Sequence, residues 1–409
     1  MLKAVNQVKL DQKRVILRAG FDVPLKQTKE KEHFVVADDS RVKDALPTIN
    51  YLIDSKSKIV IIAHLGRPEG KWDLSKSLWP VADDLARLLN RKAVRVSSKL
   101  PNYNLPHVYF LESDITQKDY SSLTKKLKPG DILFLENLRF YPGEEQNDDG
   151  FAKTLSSFGE IYVNDAFSVA HRKAASTHGL TLKLKSYAGI SLMKEITALS
   201  KILKNPAEPM VVVMGGAKIS DKIDTINNLA KRAEKVLVGG IIANAFIKAK
   251  GYDIGASKVA EVDLAKELLR NYGDKIVLPT DLVVAKNPEE HSRVATLDKI
   301  LPYESIFDIG PKTVTKFSKI IESAKTLVWN GPMGKFEVAK YSFGSKALAQ
   351  AFASRSKGPA FGVVGGGETL EAIEMAKVGE FIDHLSTGGG AMLEFLSGKK
   401  LPAIKALEN

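Results

Sequence analysis

The 409-residue chain has no cysteine, which excludes disulfide staples and thiolate metal sites. No apolar run comes near the roughly 20 residues that a membrane-spanning helix needs. The opening stretch MLKAVNQVKLDQKR lacks the apolar core of a secretory leader, so the expected location is the cytoplasm and no membrane partner is expected. The P-loop pattern G-x-x-x-x-G-K-[ST] and the dinucleotide fingerprint G-x-G-x-x-G are both missing, as are short-period repeats and low-complexity linkers. His171 and His178 lack the spacing of a metal pair.

What is present is a globular composition, 44% hydrophobic and 26% charged, with a net charge of +12. A positive balance attracts anions of every kind. The lysines and arginines are mixed with acids throughout, and the 8% aromatics are not interleaved in a basic stripe. No nucleic-acid module is recognisable, so small anions rather than nucleic acid are the expected partners. The length suits two domains better than one core.

Short apolar runs recur, each ending in a polar or glycine-rich tip. Residues 15–17 precede RAGFD, 59–63 precede HLGRPEG, 132–135 precede ENLRFYPGEE and 161–163 precede NDAF. Further on, 211–214 precede GGAK, 236–238 GGIIAN, 276–278 PTD, 327–329 NGPMGKFE, 361–364 GGGET and 382–385 STGGG. Amphipathic stretches such as 78–89, 223–233 and 262–269 lie between them. This alternation predicts an α/β fold, two doubly wound parallel-sheet (Rossmann-like) domains, with ligands beyond the carboxyl ends of the strands. A long helix over about 191–204 joins the halves and suits a hinge. The expected division is 1–186, with 395–409 packing back on it, and 187–394 beginning with the hinge helix.

The strand tips differ between the halves. The first half offers Arg18, Arg41, His64, Arg67, Arg139 and Arg172, a set able to grip a small acid that carries a phosphate. His64 reads as a structural donor rather than a base. The second half offers glycines at 215–216, 239–240, 365–367 and 388–390, which let a nucleotide approach the backbone. In PMVVVMGGAKISDK the spacing predicts a helix starting just after the glycines, with Lys218 and Lys222 on one face. An ordinary turn with solvated lysines fits that stretch equally well. Glu337 and Glu368 stand ready for a ribose hydroxyl or Mg²⁺, or as solvated loop acids. An acid-phosphate site and a nucleotide site in one chain imply phosphoryl transfer, with closure expelling water.

Through RAGFDVP, HLGRPEG, LENLRFYPGEE, DAFSVAHR, GGAKISDKI, WNGPMGKFE, GGGETL and STGGGAMLEFLSGKKLP, in that order, the chain resembles the phosphoglycerate kinases over essentially its whole length. The resemblance implies reversible in-line transfer, on domain closure, between ATP and the carboxylate of 3-phosphoglycerate, giving ADP and 1,3-bisphosphoglycerate in glycolysis and gluconeogenesis. It also implies a monomer and nucleotide-borne Mg²⁺. By position, Gly20, Phe21, Asp22, Arg41, His64, Leu65, Gly66, Arg67, Arg139 and Arg172 hold 3-phosphoglycerate, with Arg41 nearest the migrating group. Lys218, Gly389 and Gly390 stabilise that group in flight. Gly216, Lys222, Gly240, Gly310, Asn330, Pro332, Glu337, Gly366, Gly367, Glu368 and Thr369 line the nucleotide, with Glu337 on the ribose and Glu368 toward the Mg²⁺.

Three departures from the family pattern bear on activity. The first motif usually reads R-V-D-F-N-V-P, so Gly20 replaces an aspartate and Asp22 an asparagine; a lost bond to a substrate hydroxyl costs about 0.5–1.5 kcal/mol. Glu368 replaces an aspartate, one methylene shorter. KAAST follows Arg172 where a histidine is common. An active kinase is the expectation. A weakened relative that binds without turnover is the alternative, and a non-specific nucleic-acid role comes behind both.

Overall fold

A computed structural model describes residues 2–30 and 33–408. The chain divides into two compact units, Met1–Ile196 with Lys400–Asn409, and Thr197–Lys399. Among the described residues no helix is long and apolar enough to cross a membrane.

Unit 1 is built on a seven-stranded parallel sheet. Its order is Ala93–Val96, Val108–Leu111, Ile132–Leu135, Lys58–Ile62, Arg14–Ala19, Ile161–Asp165 and Lys185–Ala188. Central strands of such a sheet are covered on both faces and therefore read as unbroken apolar runs; Lys58–Ile62 and Ile132–Leu135 do so, and their side chains are buried after the first residue of the former. The helix Trp79–Leu88 starts with a proline in its first turn and turns Val81, Ala82, Leu85 and Ala86 inward, the spacing of one helical face. These join Val15, Leu17, Ile59 and Phe134 in one core. Strand order reverses beside Arg14–Ala19, whose neighbours are Lys58–Ile62 and Ile161–Asp165.

Unit 2 repeats the plan with six parallel strands: Ile276–Val277, Lys235–Val238, Met210–Met214, Thr326–Asn330, Phe361–Gly365 and His384–Ser386. Here the reversal falls beside Met210–Met214, paired with Lys235–Val238 on one side and Thr326–Asn330 on the other. A three-stranded antiparallel sheet, Arg293–Thr296, Asp281–Ala285 and Ser305–Ile309, is inserted before the helix Pro311–Ser323. Alternating strand and helix alone does not foretell it. The expected strand at 382–385 is shifted to His384–Ser386, because a 3₁₀ turn, Gly379–Phe381, runs up to Ile382.

The division runs through the helix Ile190–Lys204 rather than before it. Its first turn is bonded to unit 1: Ile190 N donates to Thr48 Oγ1 (2.9 Å) and Leu192 N to the buried Asp165 Oδ1 (2.8 Å). At the other end, the helix Gly390–Leu396 stays with unit 2, because Thr225 Oγ1 and Asn228 Nδ2 donate to the carbonyls of Leu393 and Leu396. Only the segment from Lys400 rejoins unit 1, where Ala403 N donates to Ala170 O at 3.0 Å.

Candidate active site

In unit 1 the carboxyl end of Arg14–Ala19 is the centre of a cationic cluster. Arg18 is 2% exposed, so each of its donors needs a partner inside the protein. Nε donates to Ser176 Oγ (3.0 Å), Nη1 to Ala19 O (2.5 Å) and Nη2 to His64 Nδ1 (2.9 Å). Ser176 in turn gives its hydroxyl and its N–H to the buried Glu144 carboxylate, at 2.5 and 3.0 Å. Ser176 belongs to the KAAST departure, and it is the joint between Arg18 and its counter-ion.

An arginine only donates, so the bond from Arg18 makes His64 Nδ1 an acceptor and puts the ring proton on Nε2. Burial, then the field of Arg18, Arg139, Arg172 and Arg41, holds the imidazole well below its usual pKa. His64 is therefore a neutral donor of fixed tautomer. Its Nε2 lies 3.7 Å from Asp22 Oδ2, while Asp22 Oδ1 accepts from Gly66 N at 2.8 Å. Asp22 thus ties the Arg18 strand to the His64–Gly66 loop, and its carbonyl takes a short hydrogen bond from Arg41. A Cβ at Gly20 would meet Ser168 Oγ at 3.4 Å, an ordinary contact.

Asn137, which the sequence reading did not single out, organises the same loop. Its Oδ1 accepts from Leu65 N and Arg139 N (3.2 and 3.0 Å), and its Nδ2 donates to Leu65 O and Lys76 O. Arg139 is 6% exposed, donates to Gly66 O at 2.6 Å and lies 3.3 Å from Glu145 Oε1. The same Glu145 oxygen is 3.7 Å from Arg172. Arg18, Arg139, Glu144, Glu145 and Arg172 line a cavity of about 260 Å³. Arg67 is exposed and has no hydrogen-bond partner among the described residues. Phe21 and Leu65 are buried at the tips.

In unit 2 the expected helix after the glycines is corrected. The segment after Gly216 is a bend and turn, and the helix starts only at Ile223. The reason is the inward turn of Lys222, whose Nζ reaches Gly215 O (2.8 Å) and Asn330 Oδ1 (2.5 Å). Lys218 is exposed on the intervening turn and does not share a helix face with Lys222. Burial presses the Lys222 ammonium down to about 8. Asn330 donates onward to Gly365 O, and Gly331 N donates to Thr369 Oγ1, both at 2.7 Å.

The glycines fall into two groups. Gly215 N, Gly216 N and Gly240 N are spent on Asn330 O, Pro332 O and Met333 O, so these residues do not present donors to a ligand. They let three loops touch: a Cβ on Gly215 would stand 2.0 Å from Pro332 O, and one on Gly331 2.3 Å from Gly215 C. Gly310 is likewise packed, on the Asp281 carboxylate that caps the helix Pro311–Ser323. Gly366, Gly367, Gly389 and Gly390 instead spend no N–H on the backbone of another loop. A Cβ on Gly367 or Gly389 would meet nothing within 4 Å. Gly367 and Gly389 thus face free space at the starts of the helices Gly367–Ala376 and Gly390–Leu396, whereas a Cβ on Gly366 would stand 2.7 Å from Asn330 Nδ2. Glu368 is exposed beside the first, and the exposed Glu337 pairs with Lys335 at 3.4 Å. No group of three or more His, Cys, Asp or Glu able to hold a metal occurs among the described residues. A single exposed carboxylate at Glu368 suits a cation that arrives already bound to phosphates.

Comparison with known proteins agrees along the whole chain. The family model for phosphoglycerate kinase matches residues 5–399. A phosphoglycerate kinase of Chloroherpeton thalassium is 43% identical over 415 residues, covering 100% of this chain and 99% of the relative. That of Moorella thermoacetica is 42% identical, covering 98% of each. Among solved structures, phosphoglycerate kinase from Coxiella burnetii aligns with a TM-score of 0.84 at 37% identity, over 100% of this chain and 99% of the other. The enzyme from Pyrococcus horikoshii gives 0.84 at 32%, over 100% and 98%.

Proposed function

The chain belongs to the phosphoglycerate kinase family, and from that premise we propose how its two clusters divide the reaction. The protein is a glycolytic phosphotransferase whose acceptor is a carboxyl group. It moves the γ-phosphoryl group of ATP onto 3-phosphoglycerate to give ADP and 1,3-bisphosphoglycerate, and it runs the reaction back.

In this reading unit 1 takes the acid. Arg139 and Arg172 pair with its phosphate, His64 Nε2–H donates to it, and Asp22 accepts from its hydroxyl. Gly20, Phe21, Leu65 and Gly66 shape the floor, Arg67 adds charge at the mouth, and Arg41 lies nearest the carboxylate. Unit 2 takes the nucleotide. Lys222 neutralises phosphate oxygens, the packed glycines Gly216, Gly240 and Gly310 with Asn330 and Pro332 form the wall, and Glu337 accepts from the ribose. Gly366, Gly367 and Thr369 line the phosphates, and Glu368 would hold the Mg²⁺ that ATP brings, whose chemistry is to spread the charge of the phosphate oxygens.

A carboxylate oxygen of the acid attacks the γ-phosphorus as the bond to the β–γ bridging oxygen breaks, and ADP leaves with that electron pair. No proton has to move, so positioning and charge carry the rate. Arg41, Lys218 and the N–H groups of Gly389 and Gly390 meet the equatorial oxygens, where charge develops. In this reading the units close on the bound acid and nucleotide, which excludes water from the transferable group. The protein works in this reading as a cytoplasmic monomer on small molecules alone.

The observation that carries the reading is that both clusters stand where strand order reverses, the crevice where open α/β sheets bind ligands. The test is turnover of ATP and 3-phosphoglycerate with Mg²⁺, coupled to NADH oxidation through the 1,3-bisphosphoglycerate formed. Turnover within about 1–100 per second is expected. ATP binding without turnover would overturn the reading in favour of a binding protein.

A further inference from the structure

The turn that carries Lys218 is tied down at both ends but not in its middle. Gly215 and Gly216 are bonded to the Asn330–Pro332 loop, and Lys222 is locked onto Asn330. Between them Ala217, Lys218, Ser220 and Asp221 are exposed, and only the Ile219 side chain, 1% exposed, is sunk into the unit. Among the described residues, a side chain from elsewhere in the sequence reaches this middle. Glu261 Oε2 accepts from Ile219 N at 2.6 Å and from Ser220 N at 2.9 Å. The two N–H groups directly follow Lys218.

The way Glu261 is held suggests that its placement matters. It sits at φ +63° and ψ 37°, immediately before the helix Val262–Tyr272, whose fifth-position-type bond Ala265 N to Glu261 O is already formed. A residue with a side chain pays roughly 1–2 kcal/mol for that left-handed conformation. The helix it starts buries Ala265 and Leu268, so the carboxylate is delivered from a rigid element. Hydrogen bonds from Ser220 and Ile219, with Lys218 nearby, keep the carboxylate below its ordinary pKa, so it stays an acceptor at neutral pH.

We propose that Glu261 is the positioning residue of the transfer step: it fixes the turn on which Lys218 stands, and so fixes where the ammonium meets the migrating phosphoryl group. The proposal rests on the assignment of Lys218 to that group. Glu261 touches neither substrate, and its effect falls on the transition state rather than on binding. A flexible turn still lets Lys218 reach the phosphate, but not in the geometry that the in-line step rewards.

The experiment compares wild type with Glu261→Ala, Glu261→Gln and Glu261→Gly in the coupled assay, with thermal unfolding of each. Glu261→Ala is expected to lower kcat on the order of 100-fold while KM for ATP and for 3-phosphoglycerate stays within about threefold. Glu261→Gln should keep kcat within about threefold, since an amide oxygen accepts the same two N–H groups. Glu261→Gly relieves the backbone and still removes the acceptor, so it should be as slow as the alanine variant even if it melts higher. Unchanged kcat in Glu261→Ala, or equal damage in Glu261→Gln, overturns the positioning role with the kinase reading intact. Wild-type protein without turnover removes that reading and this proposal with it. If Glu261→Ala fails to fold, the glycine and glutamine variants decide alone: a fast glycine variant or a slow glutamine variant overturns the proposal.

Discussion

The two units share one architecture and use its crevice in opposite ways. Unit 1 fills the switch point with charge and must then manage that charge internally. Arg18 is balanced through Ser176 by Glu144, Arg139 and Arg172 share Glu145, and Asp22 faces His64. Unit 2 fills its switch point with backbone. There the constraint is volume, because Gly215, Gly240 and Gly331 stand where any Cβ would strike a neighbouring loop. A charged pocket tolerates loss of a side chain and loses chemistry; at these three glycines a backbone pocket tolerates no added atom and loses its fold. That contrast predicts which readout each substitution moves.

Gly331→Ala should have the largest effect. At φ +90° its Cβ would stand 2.3 Å from both the carbonyl carbon and oxygen of Gly215, a clash with backbone that no rotamer relieves. A loss of about 3 kcal/mol or more in unfolding free energy is expected, with loss of ATP binding by calorimetry. A variant that melts like wild type would break the contrast. In unit 1, Arg41→Ala should cost at least about 100-fold in kcat/KM with unfolding unchanged to within about 1 kcal/mol. A large fall in melting temperature there would make the arginine a structural group after all.

Lys222 sharpens the comparison, being a half-buried cation of the glycine-lined pocket that the reading uses. Its pKa is lowered to about 8 from an ordinary 10.5. Between those values the unfolded chain binds more protons, so the free protein gains stability as pH rises through that window. Bound phosphate favours the charged form, so ATP affinity should fall over the same window, by up to about tenfold at pH 9 relative to pH 7. Titration calorimetry in buffers of different ionisation heat should register proton uptake above pH 8, and none in Lys222→Gln. The smallest effect is expected from Glu145→Gln. The Glu145 carboxylate stands on the two arginines assigned to the substrate phosphate. Removing its charge should lower KM for 3-phosphoglycerate about two- to fivefold, the scale of a partly exposed ion pair. A raised KM would mean that Glu145 orients Arg172 more than it competes for it.

The parts of this design legible in the sequence are those that local pattern encodes. Apolar runs ending in glycine or arginine gave the central strands and their tips. The edge strand Lys185–Ala188, KSYA, has no apolar run to mark it, and in Ala93–Val96 the run is broken by the exposed Arg95. Val108–Leu111 is wholly buried and is an apolar run of the same kind as the central strands. The braces were invisible for a different reason. Asn137 holds Leu65, Ser176 holds Arg18, and Glu261 holds Ile219, each across tens of positions that spacing rules do not span. The helix expected at Lys218 failed on the same ground, since the partners that unwind it, Asn330 and Glu261, belong to distant segments.

The final segment has a consequence for how the protein is made. Unit 1 contains both the first part of the chain and the stretch from Lys400 onward. Its helix Pro402–Ala406 buries Ala403, Ile404 and Ala406 and bonds to Ala170, two positions before Arg172. On a ribosome that region emerges after all of unit 2 has been synthesised, so the wall behind Arg172 cannot be finished before then. The nascent chain can complete its nucleotide pocket while its acid pocket still lacks a buttress, and translation itself sets the order in which the two halves become competent.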